Sequence, residues 1–340
     1  MIQHSVKNAA RSALYYTGAL GLFHRLRNKR TLTTFMFHRV LPAGSKEFEL
    51  AEREFTFSVD GFGRCLDFIQ KHYQVVKLVD LQRSLQPGGP SLPNNAALIT
   101  FDDGWRDTLV HAQPELKRRN MSAVLFLATE VLSLTHDRWW QDVLVQVLHD
   151  PHARSLFVQE LQQLADTPEI GRNPTNRQLT AALASMPESN RIGILARVHA
   201  LATLPRQMVT SVDLQHFEKA VLELGAHGHT HAPLTDVKDG VRELAQSYEE
   251  IKTLGATPIT MSFPHGAYNG TLVDKAKTVG YRFIFTSEPT LTSTANNGFT
   301  RLATVGRIHL PENQWTCTNQ EVSAPMLATF LFFRTVVKPI

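Results

Sequence analysis

Two adjacent carboxylates and three closely spaced imidazoles are the groups in this chain best suited to chemistry. Asp102 and Asp103 stand side by side ahead of Gly104, and His227, His229 and His231 fall within five residues. Neighbouring carboxylates repel unless a cation takes one and the other keeps or shares a proton. For the acids alone, a solvated Asp-Asp-Gly turn is the ordinary alternative. The histidines shift that balance. His227 and His231 are four apart, so one helical turn or a tight loop aims both at a single ion. On a strand all three rings would share a face, but Gly228 argues against a regular strand. Two imidazoles and one carboxylate leave a coordination position open, as a catalytic ion that activates water requires.

These groups need a scaffold. Residues 96–100 are apolar or β-branched almost throughout, the pattern of a strand buried on both faces in a parallel sheet. Sites in α/β folds are built at the C-terminal strand ends, where Asp102 falls. A helix over 107–119, with Pro114 as a kink point, and a strand over 123–127 complete a right-handed βαβ unit. Earlier, residues 32–38 read as the first strand and place His38 on the same rim. An amphipathic helix follows over 57–73, then a short strand over 75–78 and a short helix capped by Asp80. Later, a helix over 213–220 and a strand over 221–224 lead into the histidines. Helices over 238–253 and 271–279 alternate with strands over 259–263 and 281–286, and a segment over 303–310 closes the set.

Over 133–210 the β/α rhythm stops and the chain turns Leu-, Ala- and Gln-rich. Connections in α/β units take about 2–6 residues, so this interval is predicted to be a helical insertion on the catalytic rim. It opens on Trp139-Trp140, a pair read as packing, with a stacking surface for sugar or lipid as the sharper alternative.

The same residues carry a resemblance. Thr100-Phe101-Asp102-Asp103-Gly104, followed by Gly225-Ala226-His227 and His231-Ala232-Pro233-Leu234, resembles the first two motifs of the polysaccharide deacetylase (NodB-homology) superfamily, carbohydrate esterase family 4. Ser262-Phe263-Pro264-His265-Gly266-Ala267-Tyr268 resembles the Tyr-Pro-Tyr-Gly variant of the third motif, with His265 at the second Tyr. The matches keep the family's order and extend over 31–309. The resemblance implies an α/β fold, a distorted (β/α) barrel of the NodB-homology type with a helical insertion. It implies metal-dependent removal of acetyl groups from N-acetylated sugar units of a polysaccharide or its lipid-linked precursor. Asp103, His227 and His231 match the metal triad, and Asp102 the general base. The expected ion is divalent: zinc first, with cobalt or manganese as alternatives.

The chain also departs from the pattern. Ser262 stands where the third motif carries the arginine that pairs with the base, and Arg307 is the candidate substitute. The Leu-x-x-His motif that supplies the acid is not matched well; His309, His38 and His265 are the candidates, in that order. His229 either assists the metal or faces away. The rival readings are an O-deacetylase, a hydrolase of small cyclic amides, and a catalytically weak carbohydrate-binding relative. Asp102 argues against the last, because a pure binder needs no base.

Composition sets outer bounds. A chain of 340 residues with 43% hydrophobic side chains can bury a sizeable core. The net charge of +4 is too mild to suggest a nucleic-acid partner. The two cysteines, Cys65 and Cys317, are too few and too far apart for a disulfide framework or a metal spacing. No run of about 18 or more apolar residues marks a transmembrane helix. The apolar stretch over 13–23 is interrupted by Tyr15 and Tyr16, and His24-Arg25-Leu26-Arg27 follows where a signal peptide would carry small residues. Residues 1–30 therefore read as an uncleaved basic helix, either packed on the barrel or lying on an anionic membrane. That points to a cytoplasmic chain, in the second case peripheral at the inner membrane face. The barrel takes 31–310, and 311–340 form an apolar tail.

Overall fold

Residues 31–37 and 96–101 are buried at every position and pair in parallel as the centre of a sheet. The computed structural model describes residues 2–84, 86, 88–132, 139–163, 173–198, 202, 204–237, 239–294, 303–316 and 322–337. Cys317 lies outside them. The strands are β1 (Thr31–Phe37), β2 (Arg39–Leu41), β3 (Thr56–Ser58), β4 (Gln74–Val75), β5 (Ala96–Phe101), β6 (Ala123–Leu127), β7 (Leu222–Ala226), β8 (Thr260–Ser262), β9 (Phe283–Phe285), β10 (Leu291–Ser293), β11 (Ala303–Val305), β12 (Ile308–His309) and β13 (Val336–Val337). The helices are α1 (Ile2–Tyr16), α2 (Ala19–Arg27), α3 (Lys46–Leu50), α4 (Val59–His72), α5 (Leu78–Ser84), α6 (Gln113–Arg118), α7 (Trp140–His149), α8 (Pro151–Gln162), α9 (Asn176–Ser185), α10 (Glu188–Val198), α11 (Gly240–Thr253), α12 (Gly270–Val279) and α13 (Ala324–Phe332).

Strands β1, β5, β6, β7, β8, β9 and β11 lie side by side in parallel. The sheet closes through one short segment. β11 pairs with β9, and two residues later β12 pairs with β1. The predicted closing strand is thus split at Gly306-Arg307, and its halves join opposite edges. A Cβ on Gly306 would sit 2.2 Å from Thr290 Oγ1, so only glycine fits this bend. β10 runs antiparallel beside the start of β1, which distorts the barrel there.

Side chains alternate across each strand. On β5 and β6, Ala97, Ile99, Phe101, Leu125 and Leu127 join the large core under the helices. Their neighbours Ala96, Leu98, Val124 and Phe126 form a second core with Leu32, Phe283, Phe285 and Val305 inside the barrel. Leu78 and Leu81 of α5 belong to that inner core. The inward set on β5 continues through Thr100 to Asp102, so the barrel is apolar below and acidic at its mouth.

Local chemistry explains three differences from the expected elements. The helix after Asp103 opens as a π-helical turn over Thr108–Ala112 before α6. Pro114 has no N–H to give to the preceding turn, and the wider register absorbs the loss. The helix expected over 213–220 shrinks to one 3₁₀ turn, Asp213–Gln215. Asp213 instead accepts from the Thr210 N–H and hydroxyl, which closes the backbone locally. The N-terminal helix is two helices, because Gly18 takes a left-handed conformation at φ 83° between α1 and α2.

α2 docks under the barrel through His24, which is buried. Asn28 Nδ2 donates to His24 Nδ1 at 2.9 Å and to the Phe332 carbonyl at 3.0 Å. An amide nitrogen that donates twice leaves a neutral ring with its proton on Nε2. That ring packs against Tyr73 and Phe332. Burial first, then His72, Arg25 and Arg27 nearby, hold the His24 pKa down to about 4. In the unfolded chain it titrates near 6.5. The unfolded state therefore binds the proton more readily. The contribution of neutral His24 is complete above about pH 6.5 and is lost as pH falls towards 4, by roughly 3 kcal/mol in full. His24→Phe is expected to flatten the fall in melting temperature between pH 7 and 4; an unchanged slope removes His24 as its cause.

Candidate active site

Asp102 is the first residue beyond β5 and keeps the inward direction of Thr100. Arg307, in the gap between β11 and β12, reaches it across the barrel. The guanidinium donates to Asp102 Oδ1 at 2.6 Å and Oδ2 at 2.7 Å. It also donates to Ser262 Oγ at 2.6 Å, to Thr100 Oγ1 at 3.3 Å and to the Thr286 carbonyl at 3.1 Å. Burial alone would push the Asp102 carboxyl up; the Arg307 charge outweighs it and holds the carboxyl below its ordinary value. Asp102 is therefore ionised at neutral pH. Arg307 thus pairs with Asp102 and touches Ser262 in the same buried space.

Asp103 points elsewhere because the backbone turns there. It sits at φ 77° and Gly104 at φ 95°. A Cβ on Gly104 would meet Leu127 at 2.8 Å, so the turn needs glycine on two counts. The Trp105 indole donates to Asp103 Oδ2 at 2.8 Å and leaves Oδ1 facing two imidazoles. His231 Nε2 is 3.1 Å from Oδ1, and His227 Nε2 is 3.5 Å from it. The ligand atoms of Asp103, His227 and His231 all lie within 4.8 Å of one another, and the three residues are buried. Among the described residues this is the one such cluster of three.

The far side of each ring is also held. His227 Nδ1 donates to the Ser262 carbonyl at 2.8 Å, which turns the Nε2 lone pair towards Asp103. The Gln141 side-chain amide, from α7 of the insertion, lies 2.8 Å from His231 Nδ1. The two histidines occupy a loop, not a helical turn, with Gly228 at φ 71° and His231 at φ 61°. Glu243 of α11 pins that loop. It accepts from the His229 and Thr230 N–H groups at 2.9 Å each and from the Thr230 hydroxyl at 3.0 Å. His229 faces away, beside Gln246 and Glu250. Of five non-glycine residues at positive φ among those described, three are Asp103, His231 and His265. Such strain collects where side chains must be aimed.

The remaining candidates stand around the mouth. His38 continues the inward set of β1 and, with Phe55 and His309, forms a ring cluster with centroids 4.8 to 5.7 Å apart. Burial, then the neighbouring His38, lowers His309 to about 4. His265 is on the other side, its ring 4.6 Å from that of His231 and its Nε2 3.2 Å from the His231 carbonyl. Trp139 is buried against His231 and Trp105, so it walls the site rather than offering a stacking face.

Five positioning residues escape the sequence reading: Trp105, Gln141, Glu243 and the pair Arg39–Asp107. Arg39 Nε donates to Asp107 at 2.9 Å, and its guanidinium lies 4.1 Å from the Trp105 ring, bracing the indole that orients Asp103. Trp105, two residues beyond Asp103, is the only one of these near enough in sequence to suggest itself.

Residues 196–284 match the family model described as polysaccharide deacetylase. That span holds His227, His231, Ser262 and His265. That stretch of the chain is similar to the polysaccharide deacetylase family. Among solved structures, a de-N-acetylase from Aggregatibacter actinomycetemcomitans aligns with TM-score 0.55 and 17% identity, over 88% of this chain and 100% of that one. The Streptococcus pyogenes deacetylase PplD, in complex with acetate, aligns with TM-score 0.53 and 16% identity, over 84% and 94%. IcaB from Ammonifex degensii gives 0.52 and 16%, over 89% and 97%. These likenesses show the fold, an α/β barrel of the NodB-homology type. No curated protein matches the chain. The barrel thus carries an insertion that brings Trp139, just before α7, and Gln141 of α7 to the site.

Proposed function

We propose that this chain is a metal-dependent hydrolase that removes the acetyl group from N-acetylated sugar units of a polysaccharide or its lipid-linked precursor. The observation that carries the reading is a pair of adjacent carboxylates with separate surroundings. Asp103 faces two imidazole Nε2 atoms, and Asp102 is held ionised by Arg307.

The donor set fits a divalent ion: two imidazole Nε2 atoms and one carboxylate oxygen, with the outer nitrogen of each ring held by a neighbour. Zinc suits it best, with cobalt or manganese as alternatives. Held by Asp103, His227 and His231, such an ion supplies Lewis-acid activation of water and of the acetyl carbonyl. The rest falls to the chain's own side chains. Asp102 Oδ2 is 3.9 Å from His227 Nε2, so the free carboxylate borders the triad and takes the proton lost by water. Arg307 fixes both oxygens of that carboxylate and so fixes its direction. The departing amine needs a proton, and His309 and His38 stand on the rim next to Asp102. With its pKa near 4, His309 is neutral at pH 7 and gives a proton only after receiving one. His265 is the candidate from the opposite side. Trp139 and Trp105 keep water from behind His231 and Asp103.

The test is to incubate metal-loaded protein with N-acetylglucosamine oligomers and to measure acetate and free amine together. Equal amounts of both are expected. Acetate from O-acetylated sugar with no new amine would assign the O-deacetylase reading instead. No acetate from any acetylated sugar would overturn the proposal.

A further inference from the structure

The terminal segments of the chain meet, and among the described residues they carry most of the exposed large apolar side chains. Among the described residues twelve large apolar side chains are exposed, and seven of them lie within residues 14–26 and 333–337. Tyr16, Leu22 and Leu26 are 77%, 57% and 70% exposed on α1 and α2, and Phe333 is 53% exposed just past α13. The two segments are in contact. Phe23 stacks on Phe333 at 4.6 Å, and Arg27 donates to the Phe332 and Arg334 carbonyls.

The charge on these terminal segments has one sign. No Asp or Glu precedes Glu47 and none follows Glu321, while Lys7, Arg11, Arg25, Arg27, Lys29, Arg30 and Arg334 are basic. Arg25, Lys29 and Arg30 are exposed beside Leu22 and Leu26. Apolar side chains standing out from helices among unopposed cations suit a bilayer with anionic headgroups, where the apolar groups enter the acyl boundary and the cations stay at the phosphates. No helix among the described residues is long and apolar enough to cross a membrane, so the contact is peripheral.

We infer that the joined face of α1, α2 and the end of α13 is a docking surface for an anionic lipid bilayer. The topology then sets the orientation. The Asn95 N–H, just before β5, donates to the Lys29 carbonyl, and the Asn95 side chain donates to that of His24. α2 therefore lies at the N-terminal strand ends, and Asp102, His227 and His265 at the opposite ends. A docked chain turns its mouth away from the lipid by at least the length of β1, roughly 20 Å. On the deacetylase reading, the sugar it reaches is one carried well out from the surface, as in a polymer.

The full chain should float with vesicles of phosphatidylcholine and phosphatidylglycerol at about 50 mM salt, and about 0.5 M salt should release most of it. Phosphatidylcholine alone should bind at least about tenfold more weakly. The triple variant L22S/L26S/F333S should lose about tenfold or more in partitioning to the mixed vesicles, with its melting temperature unchanged. The proposal falls if the wild type does not float at low salt, if neutral vesicles bind it equally, or if the triple variant binds as tightly. It also falls if the three substitutions abolish self-association in light scattering and leave lipid binding unaltered; the face is then an interface between copies. A separate arm, resting on the deacetylase reading, measures acetate release from soluble oligomers by the vesicle-bound chain. The rate should match that in solution, and a fall overturns the orientation. Flotation does not depend on that reading.

Discussion

Asp102→Asn is expected to keep its metal and lose about 10²–10⁴-fold in turnover, the usual contribution of a positioned base. The amide keeps the size of the carboxylate and its oxygen can still accept one of the two hydrogen bonds from Arg307, but it cannot take a proton from water. Asp103→Asn is expected to do the reverse at first hand: it weakens the ion, and excess zinc restores part of the rate. The two residues are chemically identical neighbours, so the difference between them comes from the backbone. Asp102 continues the strand into Arg307, while Asp103, at φ 77°, turns out to His227 and His231. His227→Ala and His231→Ala should lose both ion and activity. Metal content of the dialysed proteins and acetate release are the two measurements. An Asp102→Asn protein that loses the ion while Asp103→Asn keeps it would exchange the roles.

How far this site could be read in advance depended on the range of the interactions. Each catalytic candidate near a strand end was legible, because a buried apolar run ending in Asp-Asp-Gly fixes both where the strand stops and which rim its acids occupy. The His227 to His231 spacing was legible as an ion-facing pair, although their loop geometry was not. That geometry rests on Glu243, more than a turn of chain away and on a helix with its own reasons to form. Gln141 lay inside an interval readable only as helical, since which helical face meets His231 depends on packing that periodicity does not encode. A parallel α/β sheet was legible from the alternation of strands and helices, and its closing into a distorted barrel was implied by the resemblance. β10 was not, because three residues pairing antiparallel beside β1 leave no pattern long enough to separate from a loop. Gly18 was visible in the sequence, but a lone glycine in a helical pattern is often tolerated, and only its left-handed φ divides α1 from α2.

Arg307→Leu is expected to destabilise the chain by about 3–5 kcal/mol, because it strands a buried carboxylate without its partner. The pair is almost wholly enclosed, with side-chain exposures of 1% for Arg307 and 4% for Asp102. Turnover should fall on the order of 10²-fold as well, since the base loses both hydrogen bonds that aim it. Arg307→Lys should recover less than its charge suggests. An ammonium is a point charge and cannot span Asp102 Oδ1 and Oδ2, Ser262 Oγ and Thr100 Oγ1 as the planar guanidinium does. A rescue separates positioning from mere packing. The resemblance places the family's arginine at 262, and Ser262 Oγ already touches the Arg307 guanidinium at 2.6 Å. The double variant S262R/R307S brings the same group into the same buried space from β8 instead of the β11–β12 bend. Its melting temperature and acetate release should both exceed those of R307S alone. If the melting temperature recovers and the rate does not, Arg307 only fills and neutralises the barrel, and its assignment as the residue that orients Asp102 is wrong.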